Sequence, residues 1–202
     1  MNQKTWAVVV IFAVSLLSLG CQSGGIGDPC VPEDEYQQYF SGYSETEVNL
    51  ESRSFQCETR LCLVNHFRGR VTCPYGQDEE DKSPEEQRCH VPGTTGSENL
   101  IKVPVNTQYE KRSPADSVYC SCRCAGPDSE GRYCKCPTGF QCVRLLDYVP
   151  RLGSKELAGS YCVKDGTEFT EKTNLGSSCI PTNPDAVPPE PPGACGFYNG
   201  PI

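Results

Sequence analysis

Thiol chemistry dominates this sequence: 15 of its 202 residues are cysteine, against two histidines, one methionine and one tryptophan. A cysteine can carry a lipid, ligate a soft metal as its thiolate, act as a nucleophile or pair as a disulfide, and spacing separates these uses. Cys120, Cys122 and Cys124 alternate with Ser121 and Arg123, and Cys134 and Cys136 repeat the alternation before Cys142. On an extended strand, alternate residues share a face about 6.6–6.8 Å apart, beyond ordinary disulfide reach, so the first three do not pair among themselves. Gly126, Pro127, Asp128, Ser129, Glu130 and Gly131 predict a turn. A hairpin around it that sets Cys124 opposite Cys134 also sets Cys122 opposite Cys136. Those are the two expected bonds of the cluster, with Cys120 and Cys142 bonded elsewhere. Cys73 with Cys89 and Cys179 with Cys195 are the expected clips of two loops, and Cys30, Cys57, Cys62 and Cys162 complete a set of fourteen disulfide candidates. A thiolate site for Cu(I) or Zn is the alternative reading of the alternating cysteines. The spacing differs from the Cys-x-x-Cys knuckles of structural zinc sites, and an exported chain meets oxidants first, so no metal is expected.

Other catalytic chemistry is sparsely supplied. His66 and His90 are the available imidazoles; the first sits within the apolar run from Leu61 to Phe67 and the second beside Cys89, and both read as structural or solvated. No Gly-x-Ser-x-Gly, His-Glu-x-x-His or Gly-Lys-Ser/Thr motif occurs. A carboxylate pair could hydrolyse a glycoside, but 26 acidic residues give the sequence no way to select one. No catalytic residue or cofactor is therefore assigned. A net charge of −8 without a basic stripe argues against nucleic acid, whose binding draws on counterion release by lysine and arginine.

The remaining cysteine is Cys21. Lys4 precedes an uncharged run from Trp6 to Leu19, too short for a helix across a hydrocarbon core of roughly 30 Å and suited to a cleaved export signal. Leu17, Ser18, Leu19, Gly20, Cys21 resembles the lipobox of bacterial lipoproteins, with Ser18 where that family prefers leucine. The resemblance implies cleavage before Cys21, diacylglyceryl attachment to its sulfur and acylation of the new N-terminus. Setting Cys21 aside leaves an even number of cysteines, which can pair completely. In Gram-negative lipoproteins, aspartate directly after the acylated residue retains the protein at the inner membrane; Gln22 stands here, which implies the outer membrane. Cys134, Lys135, Cys136, Pro137, Thr138, Gly139, Phe140 also resembles the closing hairpin of epidermal-growth-factor-like modules, over about nine residues, and implies only a stapled hairpin.

From residue 21 onward Leu, Ile, Val and Phe make up 31 of 182 residues. That fraction lies below about 20%, where a charged chain ordinarily stays disordered, so disulfides must supply what a thin core lacks. The expected fold is small, disulfide-rich and mainly β, with short antiparallel strands, hairpins, long loops and one short N-terminal helix. Pro32 with Glu33, Asp34 and Glu35 suits a helix start, and Tyr36, Tyr39, Phe40 and Tyr43 would line one face of it, packed on the core in preference to a sugar-stacking platform. Alternation predicts strands at Val48–Leu50, Leu61–Phe67, Ile101–Val105, Val143–Leu146 and Tyr161–Lys164, with Gly153 to Gly159 linking the last two. Residues 78–86 form a solvated acidic loop without calcium-ligand spacing. Ile180 to Ala194, with six prolines, is an extended loop. The organisation expected is an export segment over 1–20, a flexible tether over 21–29, an ectodomain over 30–165 and a proline-rich segment over 166–202. The function expected is a non-enzymatic binding or structural ectodomain, held to the membrane by its N-terminal lipid and engaging an unknown protein or glycan. An envelope hydrolase and a thiolate metal-binding protein are the alternatives.

Overall fold

The computed structural model describes residues 24–78, 88–147, 155–170, 175–179 and 195. The export segment, Cys21, most of the acidic run, residues 153–154 of the expected link and residues 180–194 of the proline-rich segment lie outside the described residues. The protein is a small, disulfide-rich, mainly β fold. Strands β1 (Val48–Glu51), β2 (Cys62–Asn65) and β3 (Val118–Cys120) form one antiparallel sheet in that order. Strands β4 (Arg123–Ala125), β5 (Phe140–Leu146) and β6 (Gly159–Lys164) form a second, in the order β4-β6-β5.

The apolar run around β2 is continuous because the strand is buried on both faces. Cys62 and Val64 point into one cluster with Cys30, Val31, Tyr43, Cys57, Phe67, Val71, Val118 and Cys120. Leu63 points the other way, where it meets Tyr119 and Val163 and joins the two sheets. A third cluster, Cys73, Cys89, Ile101 and Val105, lies under the loops.

Several expectations are corrected by one physical cause: a side chain occupies the backbone groups that the expected element needed. The N-terminal helix is a single 3-10 turn, Glu33–Tyr36, after which Gln37 is extended. Arg70, fully buried, donates to the carbonyls of Glu35, Gln37 and Phe40 (the last at 2.8 Å), so those oxygens are unavailable to a continuing helix. Without the helix the aromatic face divides. Phe40 and Tyr43 pack edge to face in the core with centroids 4.8 Å apart, whereas Tyr39 is 71% exposed. Gly42, at φ +100°, closes this segment where an added Cβ would lie 2.6 Å from the Gly69 backbone. Ile101–Val105 forms no strand. The Gln77 side-chain amide donates to the Ile101 and Val103 carbonyls, each at 2.9 Å, and stands in for a neighbouring strand.

The tether is corrected as well. Gly24 donates to the Gln56 carbonyl at 2.7 Å and accepts from Glu58 at 2.9 Å, Gly27 donates to Cys120 at 2.8 Å, and Cys120 donates back to Asp28 at 2.8 Å. The domain therefore begins by Gly24, not Cys30.

Candidate functional site

The cysteine-dense segment changes sheets in the middle. Cys120 ends β3, paired opposite Cys62, and Cys124 lies in β4 beside β6. At the crossing, Ser121 donates its amide to Leu61 and its hydroxyl to the Cys162 carbonyl, at 3.0 and 2.8 Å. The hairpin expected between 120–124 and 134–136 does not form, because β6 takes the place beside β4 and Cys134 and Cys136 lie outside the strands. Its two predicted bonds fail with it.

The seven disulfides among the described residues are Cys30–Cys62, Cys57–Cys120, Cys73–Cys89, Cys122–Cys134, Cys124–Cys142, Cys136–Cys162 and Cys179–Cys195. Both loop clips are as expected, and Cys120 bonds outside the cluster as expected. Cys142 instead bonds inside it, to Cys124. The β5–β6 register explains the exchange: it sets Cys142 directly across from Cys162, so each of those residues competes for a cluster cysteine at short range.

Three of these bonds stack. The Cys162 sulfur lies 3.6 Å from that of Cys122 and 3.8 Å from that of Cys134. The sulfurs of Cys124, Cys136 and Cys142 lie within 4.8 Å of one another. Six sulfurs thus run from the buried Cys122 and Cys162 to Cys142, the one exposed cysteine among the described residues. Paired sulfur is not thiolate, so in this oxidised form the cluster offers thiol–disulfide exchange at its exposed end rather than metal ligation. Cys30, Cys57 and Cys120 approach similarly, but all three are buried.

No family model, no curated protein and no solved structure matches this chain.

The two histidines sit in separate backbone settings. His66 follows β2 at φ 52°, donates from Nδ1 to the Glu45 carbonyl at 2.8 Å and stacks on Phe169 with centroids 4.0 Å apart. Burial pushes its imidazole below the ordinary range, the Glu45 bond opposes this, and the Arg112 cation adds to it. His90 bridges to Leu100 and donates to the Arg88 carbonyl at 2.8 Å.

Buried charged and amide groups, invisible to a reading in which such residues default to the surface, do structural work. Glu35 has no exposed surface; it accepts from the Val71 and Thr72 amides at 2.6 and 3.1 Å and from the Thr72 hydroxyl at 2.7 Å. Burial pushes its carboxyl up, against those bonds and the Arg70 cation. Arg112 reaches the carbonyls of Asn65, His66 and Thr167 at 2.6, 3.1 and 2.5 Å. Gln108 donates to the Arg70 carbonyl at 2.7 Å. Sealed from solvent with three donors, Glu35 clasps the 3-10 turn to the Val71–Thr72 backbone.

The N-terminal face carries the other distinctive feature. Residues 52–61 connect β1 to β2 and are held by the Cys57–Cys120 bond, by Ser54 donating to Arg60 at 3.1 Å, and by Gln56, whose side chain exchanges two bonds with the Val31 backbone. Phe55 stands out of this rigid loop, 82% exposed, with the Arg60 guanidinium 4.4 Å from its ring centre.

Proposed function

We propose that this chain is an envelope lipoprotein: an export signal cleaved before Cys21, acylation there, and a disulfide-stapled, non-enzymatic ectodomain that binds a protein or glycan partner at the outer membrane. The observation that carries the reading is cysteine parity. Fourteen of the 15 cysteines pair with one another, so Cys21 is left without a disulfide partner within the chain. A lone thiol in an exported, disulfide-forming environment is a liability unless it is consumed, and thioether formation consumes it. Two acyl signals also meet the requirement for stable anchoring that one chain of about 14 carbons does not. Among the described residues no helix is long and apolar enough to cross a membrane, so these contribute no helical span of their own.

The compartment follows from the same bonds: seven disulfides call for an oxidising, exported setting. In the expressing bacterium, wild-type protein is expected in the outer-membrane fraction, and Cys21→Ser protein exported behind an ordinary cleavable signal in place of residues 1–20 in the soluble periplasmic fraction. Retention of the Cys21→Ser protein on the membrane after export contradicts the anchor. Turnover of glycan, peptide or ester by the purified ectodomain, abolished by a single carboxylate substitution, contradicts the non-enzymatic reading.

A further inference from the structure

If Cys21 is the anchor, only Gln22 and Ser23 separate it from Gly24, the first described residue, which is already hydrogen-bonded into the fold. The inference below rests on that reading. Three residue steps span at most about 11 Å even when fully extended. The headgroup layer beyond the hydrocarbon core is itself about 5–8 Å deep on each side. An ectodomain so tethered has no room to float; whatever surface surrounds Gly24 touches the bilayer.

That surface is the β1–β2 loop. Gly24 donates to the Gln56 carbonyl at 2.7 Å, accepts from Glu58 at 2.9 Å and bridges to Cys57, so Phe55 immediately precedes the residue that receives the N-terminus. Within residues 52–61 the exposed charges are Arg53, Glu58 and Arg60, a net positive loop on a chain of net charge −8. Phe55 is the most exposed large apolar side chain among the described residues, and the loop beneath it is pinned by a disulfide and by Gln56. An aromatic ring projecting from a rigid support and flanked by arginines is the chemistry of an interfacial contact, with the ring at the acyl boundary and the cations among lipid phosphates.

We propose that residues 52–61 form a membrane-facing contact in which Phe55 inserts into the headgroup–acyl boundary beside the Cys21 anchor, so that the domain lies flush on the bilayer in a fixed orientation. The loop is thereby withdrawn from partner binding, and the surface remote from it is the one presented.

The chain's single tryptophan, Trp6, lies in the export segment, so Phe55→Trp places the sole tryptophan of the mature protein at the proposed contact. The experiment takes this variant, purified from membranes, into vesicles of phosphatidylethanolamine and phosphatidylglycerol with and without brominated acyl chains, and compares its emission with that of Cys21→Ser/Phe55→Trp protein in which residues 1–20 are replaced by an ordinary cleavable, tryptophan-free export signal, so that the reference carries neither lipid nor Trp6. The expected result is a blue-shifted emission that brominated lipid quenches in the anchored protein only. The intact mass of the same sample reports acylation. Acylated protein whose emission matches the water-exposed reference, with no quenching, overturns the contact and leaves the anchor standing; absence of acyl mass at Cys21 overturns both.

Discussion

At the scale of single residues, exposure decides which sulfur reacts. Thirteen of the fourteen paired cysteines are buried or partly buried, and Cys142 alone is exposed. Attack by an external thiolate needs access to a disulfide sulfur, so the Cys124–Cys142 bond is predicted to open first under limiting reductant. Alkylation followed by peptide mapping should find Cys124 and Cys142 labelled before any other pair; early labelling of Cys73 and Cys89 would contradict this. The closeness of Cys136 and Cys162 to their neighbours makes them the next acceptors in the stack. His66 gives a second residue-level prediction. Its imidazole is held below the ordinary value of about 6.5, first by burial and then by Arg112. In that window the unfolded chain binds more protons than the folded one, so stability is retained above pH 6.5 and declines as pH falls below it. Asparagine tolerates the positive φ at this position. In His66→Asn the loss of melting temperature between pH 7.5 and 5.5 should therefore shrink. An unchanged slope would remove His66 as its source.

At the scale of elements, polar side chains complete what short strands and turns leave open. Arg112 ties the end of β2, through Asn65 and His66, to Thr167 beyond β6. Arg112→Ala leaves one buried and two part-buried carbonyls to find other donors and should cost about 3 kcal/mol in denaturant unfolding under non-reducing conditions. A loss below about 1 kcal/mol, ordinary for a surface site, would show that water replaces it. The same feature sets how far the sequence could be read. Strands β1, β5 and β6 were legible because Val48, Leu50, Val143 and Val163 turn one face to the cluster at Leu63 and Tyr119, and β2 because its apolar run is buried on both faces. The helix after Pro32 and the strand at Ile101 were not, because Arg70 and Gln77 intercept their carbonyls from more than 20 residues away. Local propensity contains no trace of such a partner. The cysteine cluster failed for a related reason: alternation at Cys120, Cys122 and Cys124 suggested one strand, yet Ser121 bonds to both sheets and the chain crosses between them. Spacing fixed which cysteines belong to the framework, whereas pairing depended on the β5–β6 register, which is non-local.

At the scale of the whole molecule, a chain poor in aliphatic residues is held by two kinds of cross-link, covalent and polar, around two small sheets. The Cys30–Cys62 and Cys57–Cys120 bonds close the longest loops, with separations of 32 and 63 residues. In the chain-entropy picture each is worth about 4 kcal/mol, which suits a fold whose apolar clusters are small. Every sulfur after Gly24 is committed to this framework, and Cys21 is not. The 15 cysteines thus divide into fourteen for the fold and, in the function proposed, one for the membrane. Intact-mass analysis of the protein extracted from its native membrane tests that division directly. The predicted mass is that of residues 21–202 plus the acyl groups, less the fourteen hydrogens of seven disulfides, with no thiol titratable after denaturation. An unacylated Cys21, or free thiols among the other fourteen, would contradict it.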